Sequence, residues 1–387
     1  MKRSFADILQ GIEGERAGKL ARKLPEWAAA GAGIPGALAL EQCSSAATAA
    51  YKRELVLGEL TDASAQAPRR LGRILDLTGG LGADAQALSR IAEQLVYFER
   101  SGELAAAARS NFARLGAANI EVRCETVTPQ TELPDADLIY ADPARRDAAG
   151  RKVFLLEDCS PDILTLLPLL LRKAPAVLLK LSPMADLAML AERLGAPLRQ
   201  IHVVESEGEV KEVLCLLRRE PAGRTEPLLA AVRLGTRSGD VSMRLTMRQE
   251  RDAEPVFATQ IRPDDRLLEP APALLKAGVF NLPCSRWGLR KLAPSTHLYL
   301  APDGGLPAGA DDFFKVHRIR AVFPFGNAAF RQIRQRWPRA EVTARDLPTG
   351  SAALQKKMGV SPGGDARIFA CRRADGEAVL LVTEHAI

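Results

Sequence analysis

The chain has 387 residues, 47% of them hydrophobic and 26% charged, the composition of a soluble globular protein with room for two or three domains. No apolar run reaches the roughly 18 residues of a membrane span, since Pro168, Arg172, Lys173 and Pro175 interrupt the leucine-rich stretch at 162–181, and no apolar segment follows the basic start as in a secretory signal. The six cysteines form no C-x-x-C pair and the four histidines sit near no second ligand, so a disulfide framework and a metal site are not expected, and a cytoplasmic protein is.

In chain order, residues 1–68 read as a helical region, with apolar spacing in FADILQGI and one long segment, ALALEQCSSAATAAYKRELVLGEL, at 37–60. Within it Glu41, Gln42, Ser44 and Ser45 suit either a lead-in that folds over a ligand or a capped helix start. The polar, Pro-bearing TDASAQAPRR then makes a linker.

Residues 69–220 alternate strand and helix patterns. Strands are predicted at 73–77, 94–99, 120–124, 137–142, 176–181, 200–206 and 212–218, and helices at 83–93, 101–115, 129–133, 158–173 and 184–194. Such alternation implies an α/β fold, a parallel sheet built from right-handed crossovers. The last two strands are too close for a crossover and form an antiparallel hairpin. Seven strands ending in a hairpin make a Rossmann-like sheet of the kind found in class I methyltransferases. The breakers in EPAGRTEP at 220–227 close this zone, and residues 223–387 mix strands and helices as an α+β domain.

The loop after the first strand, DLTGGLGAD, opens a helix, and its glycines let the backbone approach a ligand at the helix N-terminus. Gly80, Gly82 and Ala85 also satisfy the G-x-G-x-x-A pattern of a dinucleotide site, and the glycines alone do not separate the two. Asp76, acidic at the first strand's end, favours a methyltransferase; Glu99 ends the second strand, where a carboxylate accepts ribose hydroxyls, and Glu125 follows the third. After the fourth strand comes ADPARRD: the Asp142 carboxylate and the Pro143 carbonyl would accept hydrogen bonds from an amino group and orient it for attack on a methyl.

At these residues the chain resembles a family. Positions 70–220 look like a class I S-adenosylmethionine-dependent methyltransferase, with DPARR in the place of the D/N-P-P-Y/F/R motif. LEQCSSAATAAYK, DLTGGLGADAQ, YADPARRD and LKLSPM, with LLEPAPALLKAG, FPF, ARDLPTGSAALQKKMG and GGDARIF, together resemble a bacterial methyltransferase family with a THUMP-like C-terminal domain. The resemblance implies S-adenosylmethionine as cofactor, held by Asp76, Thr78, Gly79, Gly80, Gly82, Asp84, Glu99, Arg100 and Glu125, with Asp142, Pro143 and Arg145 as catalytic residues and Arg146, Lys180 and Ser182 at the substrate. It also implies an RNA partner, tRNA or rRNA, because THUMP domains are associated with RNA and the glycine loop is similar to that of ribosomal guanine-N2 methyltransferases. Methylation of an exocyclic base amine is the expectation, with a small molecule, a protein side chain or non-catalytic RNA binding as alternatives. Two departures stand out: Thr78 occupies the usual first glycine, and Ala144-Arg145 replaces the Pro-Tyr that would stack on a base. KLSPM carries no cysteine, which disfavours covalent C5 chemistry on uracil.

Net charge is +6, and the excess is uneven. Lys315, Arg318, Arg320, Arg331, Arg334, Arg336, Arg339 and Arg345 are met in that stretch by one acid, Glu341. Such a run suits a phosphate backbone or a solvated face.

Overall fold

A computed structural model describes residues 5–60, 70–144, 160–220 and 226–385. The chain divides into two compact units, Met1–Ala230 and Ala231–Ile387.

The first unit opens with α1 (Phe5–Lys23), α2 (Pro25–Ala29), α3 (Ala37–Gln42) and α4 (Ala46–Leu60). The helical segment at 37–60 divides at Cys43–Ser45, where a capped helix start was one of the two readings. Cys43 is extended, with ψ 158°, and the Ser45 hydroxyl accepts the Thr48 N–H at 3.2 Å, which starts a new helix. Trp27 of α2 is buried and meets Phe112 edge-on at 6.4 Å, and Asn111 exchanges two hydrogen bonds with the Gly33 backbone. These contacts hold the N-terminal helices to the sheet domain.

That domain runs β1 (Leu71–Asp76), α5 (Ala83–Ser89), β2 (Ala92–Phe98), α6 (Gly102–Arg114), β3 (Ile120–Arg123), β4 (Leu138–Ala141), α7 (Ile163–Lys173), β5 (Ala176–Leu181), α8 (Leu187–Leu194), β6 (Leu198–Ser206) and β7 (Glu209–Arg218). β1 pairs in parallel with both β2 and β4, and β7 inserts antiparallel between β5 and β6. The order is β3-β2-β1-β4-β5-β7-β6, and the sheet totals nine strands rather than seven: β8 (Leu228–Thr236), which starts within the first unit, and β9 (Gly239–Thr246) follow β6. Strands buried on both faces, such as β4 and most of β5, carry continuous apolar runs. The β6–β7 hairpin turns on Glu207 and Gly208, both at positive φ (55° and 79°), the geometry that matches strand twist. No helix forms at 129–133. Thr131 instead closes a turn on Thr128, its N–H donating to the Thr128 carbonyl at 3.0 Å and its hydroxyl accepting the Thr128 N–H at 2.9 Å. Helices α7 and α8 start later than expected, where Asp162 and Asp186 cap the backbone N–H groups of Thr165 and Met189.

The second unit adds α9 (Met247–Arg251), β10 (Arg266–Pro270), α10 (Pro272–Lys276), α11 (Leu282–Trp287), β11 (Arg290–Lys291), β12 (Tyr299–Leu300), β13 (Phe314–Pro324), α12 (Asn327–Arg336), β14 (Arg339–Ala344), α13 (Ser351–Met358), β15 (Ser361–Arg372) and β16 (Ala378–His385). Its seven-stranded sheet has the order β11-β12-β10-β13-β16-β15-β14, with β14 and β15 the parallel pair. Strand alternation divides its core between two faces. Ile368, Leu380 and Val382 pack with Phe330, Ile333, Leu354 and Met358 of α12 and α13. Leu267, Ile319, Phe369 and Leu381 pack on the other side with Leu292 and Leu298. No helix among the described residues is long and apolar enough to cross a membrane.

Candidate active site

The site gathers at the carboxyl ends of β1, β2, β4 and β5, where open α/β sheets bind ligands. Asp76 ends β1 and is 1% exposed. Its Oδ1 accepts the Thr78 N–H at 3.0 Å and the Thr78 hydroxyl at 3.5 Å, and no cation among the described residues lies in ion-pair range. Burial pushes its carboxyl up to about 8, reinforced by Asp84, Asp142 and Glu99 against the Thr78 hydrogen bond.

The glycine loop is pinned to β2. A Cβ on Gly79 would lie 2.4 Å from the Tyr97 ring and 2.8 Å from the Phe98 carbonyl, so no other residue fits without displacing backbone. Gly80 donates its N–H to Glu99 Oε2 at 2.8 Å, and its carbonyl accepts the Tyr97 hydroxyl at 2.5 Å. Gly82 precedes α5 at φ +96°. Glu99 is buried, and its Oε1 accepts the Ser101 N–H at 2.7 Å. Each of its oxygens keeps a second lone pair for another donor. Glu125 is exposed past β3, its N–H donating to the Glu99 carbonyl at 3.1 Å.

Thr78 explains its own departure from the glycine pattern. While its N–H binds Asp76, its hydroxyl accepts the Asp142 N–H at 2.7 Å, tying the β1 loop to the β4 loop. Glycine has no atom for that link. Asp142 is 39% exposed at its side chain, and its Oδ2 accepts a short hydrogen bond from the Lys180 ammonium of β5. Burial works against that ammonium, but Asp142, Asp84 and Glu212 raise it above the ordinary lysine value. Pro143 is buried, and Ala144 pairs with Ser160 through two backbone hydrogen bonds of 2.8 and 3.0 Å. Arg100 is exposed and reaches the Ser160 hydroxyl at 3.4 Å. Ser182 is half-buried and accepts the Met184 N–H at 3.1 Å. Arg145 and Arg146 lie outside the described residues.

Asp84, in the first turn of α5, is committed to the protein itself. Its Oδ2 accepts the hydroxyls of Ser44 and Tyr140, both at 2.7 Å, while Oδ1 stands 3.3 Å from the ammonium of Lys52. Lys52 is fully buried and also binds Glu212 Oε1 of β7 at 2.5 Å. Burial would raise Asp84, yet Lys52 and Lys180 hold it below the usual carboxylate range; burial leaves Glu212 raised despite the same lysines. Lys52 and Glu212 escaped the sequence reading. Nothing local marks a lysine in YKREL as buried, although the EQCSS segment beside it points to the same place through Ser44. Lys23 donates to the carbonyls of Leu40 and Glu41, each at 2.8 Å, closing the C-terminus of α3.

The eight cations of the 315–345 run do not form one patch. Arg318 and Arg320 pair with Asp264 and Glu384, Arg331 and Arg334 are exposed on α12, and Arg345 turns to a buried glutamate.

The strand order and this loop geometry define a class I methyltransferase fold. A family profile described as THUMP domain-like matches residues 314–385, and one described as a ferredoxin-like domain matches 267–303. The crystal structure of a Porphyromonas gingivalis W83 protein assigned as a methyltransferase aligns with TM-score 0.80 at 32% identity, over 96% of this chain and 89% of that one. An rRNA methylase of Streptococcus thermophilus aligns with TM-score 0.32 at 12% identity, over 43% of this chain and 93% of its own. Protein-L-isoaspartate O-methyltransferase of Methanoregula boonei is 46% identical over 50 residues, and the match spans 13% of this chain and 23% of that relative. The chain belongs to the methyltransferase family represented by the Porphyromonas protein, with a THUMP-like C-terminal domain.

Proposed function

We propose that the chain is an S-adenosylmethionine-dependent methyltransferase of RNA, acting on an exocyclic base amine of the guanine-N2 type. The observation that carries this reading is Asp142 at the end of β4, fixed through its backbone by Thr78 and through its carboxylate by Lys180.

The residues present fit the cofactor. Among the described residues Asp76 is a buried carboxylate with no cation in ion-pair range, and around it Asp84, Glu99, Asp142 and Glu212 outnumber Lys52 and Lys180. An α-ammonium and a sulfonium suit that acidic surplus. Asp76, the Thr78–Gly82 loop and Glu99 would hold the cofactor, with Arg100 and Glu125 at its edge. When bound, the cofactor would supply a methyl group carried on a sulfonium, with the neutral thioether as leaving group.

Asp142 and the Pro143 carbonyl accept hydrogen bonds from the acceptor N–H groups and turn the nitrogen lone pair toward the methyl. The Asp142 carboxylate would offset positive charge developing on the acceptor nitrogen until a proton leaves to solvent. Lys180 holds the carboxylate in one orientation, and Ser182 follows it in the β5 loop. The THUMP-like domain supports RNA as the substrate class.

Transfer of labelled methyl to total RNA from a deletion strain, followed by nucleoside mass spectrometry, identifies the product. Asp142→Ala is expected to cut the rate about 10²–10³-fold and leave S-adenosylhomocysteine affinity unchanged. Absence of any binding heat with S-adenosylhomocysteine sinks the cofactor assignment; label in protein but not RNA sinks the substrate assignment.

A further inference from the structure

Apart from the catalytic unit, the second unit concentrates cations around one buried acid. Glu269 of β10 has a side chain 9% exposed, and its Oε1 is shared by Arg345 Nη2 at 3.1 Å and Arg367 Nη2 at 3.4 Å. Its Oε2 faces His317 Nε2 at 3.3 Å. One carboxylate therefore answers two guanidiniums and an imidazole. The Nε–H groups of both arginines are buried and have no hydrogen-bond partner among the described residues, while the guanidinium side chains stay 27% and 33% exposed.

A purely structural staple across the sheet would pair these charges one to one and satisfy its donors, because an unmet buried donor costs about 1–3 kcal/mol. The His297 imidazole is depressed by burial and then by the charges of Lys291 and Arg345, against Asp346. His297 holds a left-handed backbone, φ +51°, and stacks on Phe280 at 3.9 Å with both rings half-buried. Strain of that kind in a non-glycine residue collects at ligand sites. Glu269, Arg345 and Arg367 stand in LLEPAP, ARDLPTG and GGDARIF, segments that carry the family resemblance, and the cluster draws on both profile-matched stretches, 267–303 and 314–385.

We propose that Arg345 and Arg367, aligned by Glu269, form a binding site for a phosphate of single-stranded RNA, with His297 as the flat surface for the adjoining base. Paired guanidinium forks match a tetrahedral oxyanion in geometry as well as charge, and bases stack readily on aromatic rings. The inference rests on RNA as substrate class but not on the catalytic assignment.

The test is fluorescence anisotropy of the full chain with a labelled single-stranded RNA of about 12 nucleotides, spanning an OB-sized site, titrated across salt. R345Q/R367Q is expected to weaken binding about tenfold or more and to flatten the log K against log salt slope by about 0.7, the contribution of one phosphate contact in a single strand. H297A is expected to lose about fivefold, the low end of a stacking contact. R345K/R367K keeps charge and loses the forks, so its weakened binding with an unchanged thermal midpoint supports the site if the glutamine pair fails to fold. Unchanged RNA affinity in a folded R345K/R367K or R345Q/R367Q protein overturns the proposal. So does inorganic phosphate that binds the wild type in an arginine-dependent way while RNA does not. Wild-type protein that binds no RNA refutes the RNA reading itself, whereas arginine-independent binding refutes only the site.

Discussion

Two buried carboxylates, one in each unit, are pushed in opposite directions. Asp76 rises to about 8 and Glu269 falls to about 2. Burial raises both, so the difference comes from neighbours. Asp76 meets Thr78 and three more acids, whereas around Glu269 the hydrogen bond from His317 and the charges of Arg367, His317 and Arg345 outweigh burial. A folded protein normally pairs its buried charges. Among the described residues Asp76 has no cation in ion-pair range, whereas Glu269 is shared by Arg345, Arg367 and His317. Each imbalance is what a site for a ligand of the opposite charge requires.

The comparison breaks most visibly at Lys52, which gives Asp84 and Glu212 the counter-charge that Asp76 lacks. Lys52→Met leaves two carboxylates buried without it and is expected to cost about 3–5 kcal/mol, read as a lower urea midpoint. A loss under about 1 kcal/mol, the worth of an exposed pair, would show that the network does not hold α4 to the sheet.

The second effect belongs to Glu269. Its unfolded carboxyl titrates at the model-peptide value of 4.5 and its folded carboxyl at about 2. A depressed folded value means stabilisation that is complete above 4.5 and lost as pH falls through 2. The gap corresponds to about 3 kcal/mol. Urea unfolding of the wild type should weaken over that acid window, and Glu269→Gln should remove this part of the slope. Parallel acid profiles for the two proteins would contradict the cation cage.

How much of this was legible in the sequence follows the same division. The strand-by-strand pattern, the β6–β7 hairpin and the glycine loop are local signals, readable from alternation and turn residues such as Glu207-Gly208. Asp142 was readable because its place after the fourth strand gives it a neighbour, β1. The charge networks were not readable. Lys52 meets Glu212 across 160 positions and Arg367 meets Glu269 across 98, and no local pattern records such pairings. Thr78 was visible only as a departure from glycine until the Asp142 N–H was found on its hydroxyl. The break in the N-terminal helical segment falls where a capped helix start was one of two readings of Ser44 and Ser45, and Ser45 takes the Thr48 N–H there.

The third effect is the most diagnostic, because it separates a poised acid from a merely buried one. Asp76 has its folded value above its unfolded value of 3.8. The folded state therefore favours the protonated carboxyl, and a stability penalty accumulates as pH rises from about 4 to 8. A cationic ligand reverses that preference, because its ammonium rewards the carboxylate, so binding below pH 8 must release a proton. S-adenosylhomocysteine affinity should then rise about tenfold from pH 6 to pH 7 and level off above 8, about 1.4 kcal/mol for each unit. Asp76→Asn, which has nothing to release, should bind weakly at every pH yet unfold at higher urea than the wild type at pH 8.5. Calorimetry in two buffers of different ionisation heat counts the proton directly. A wild-type affinity that is flat between pH 6 and 8 would mean that the ligand's charge is met elsewhere, and the acidic surplus of the first unit would need a different occupant.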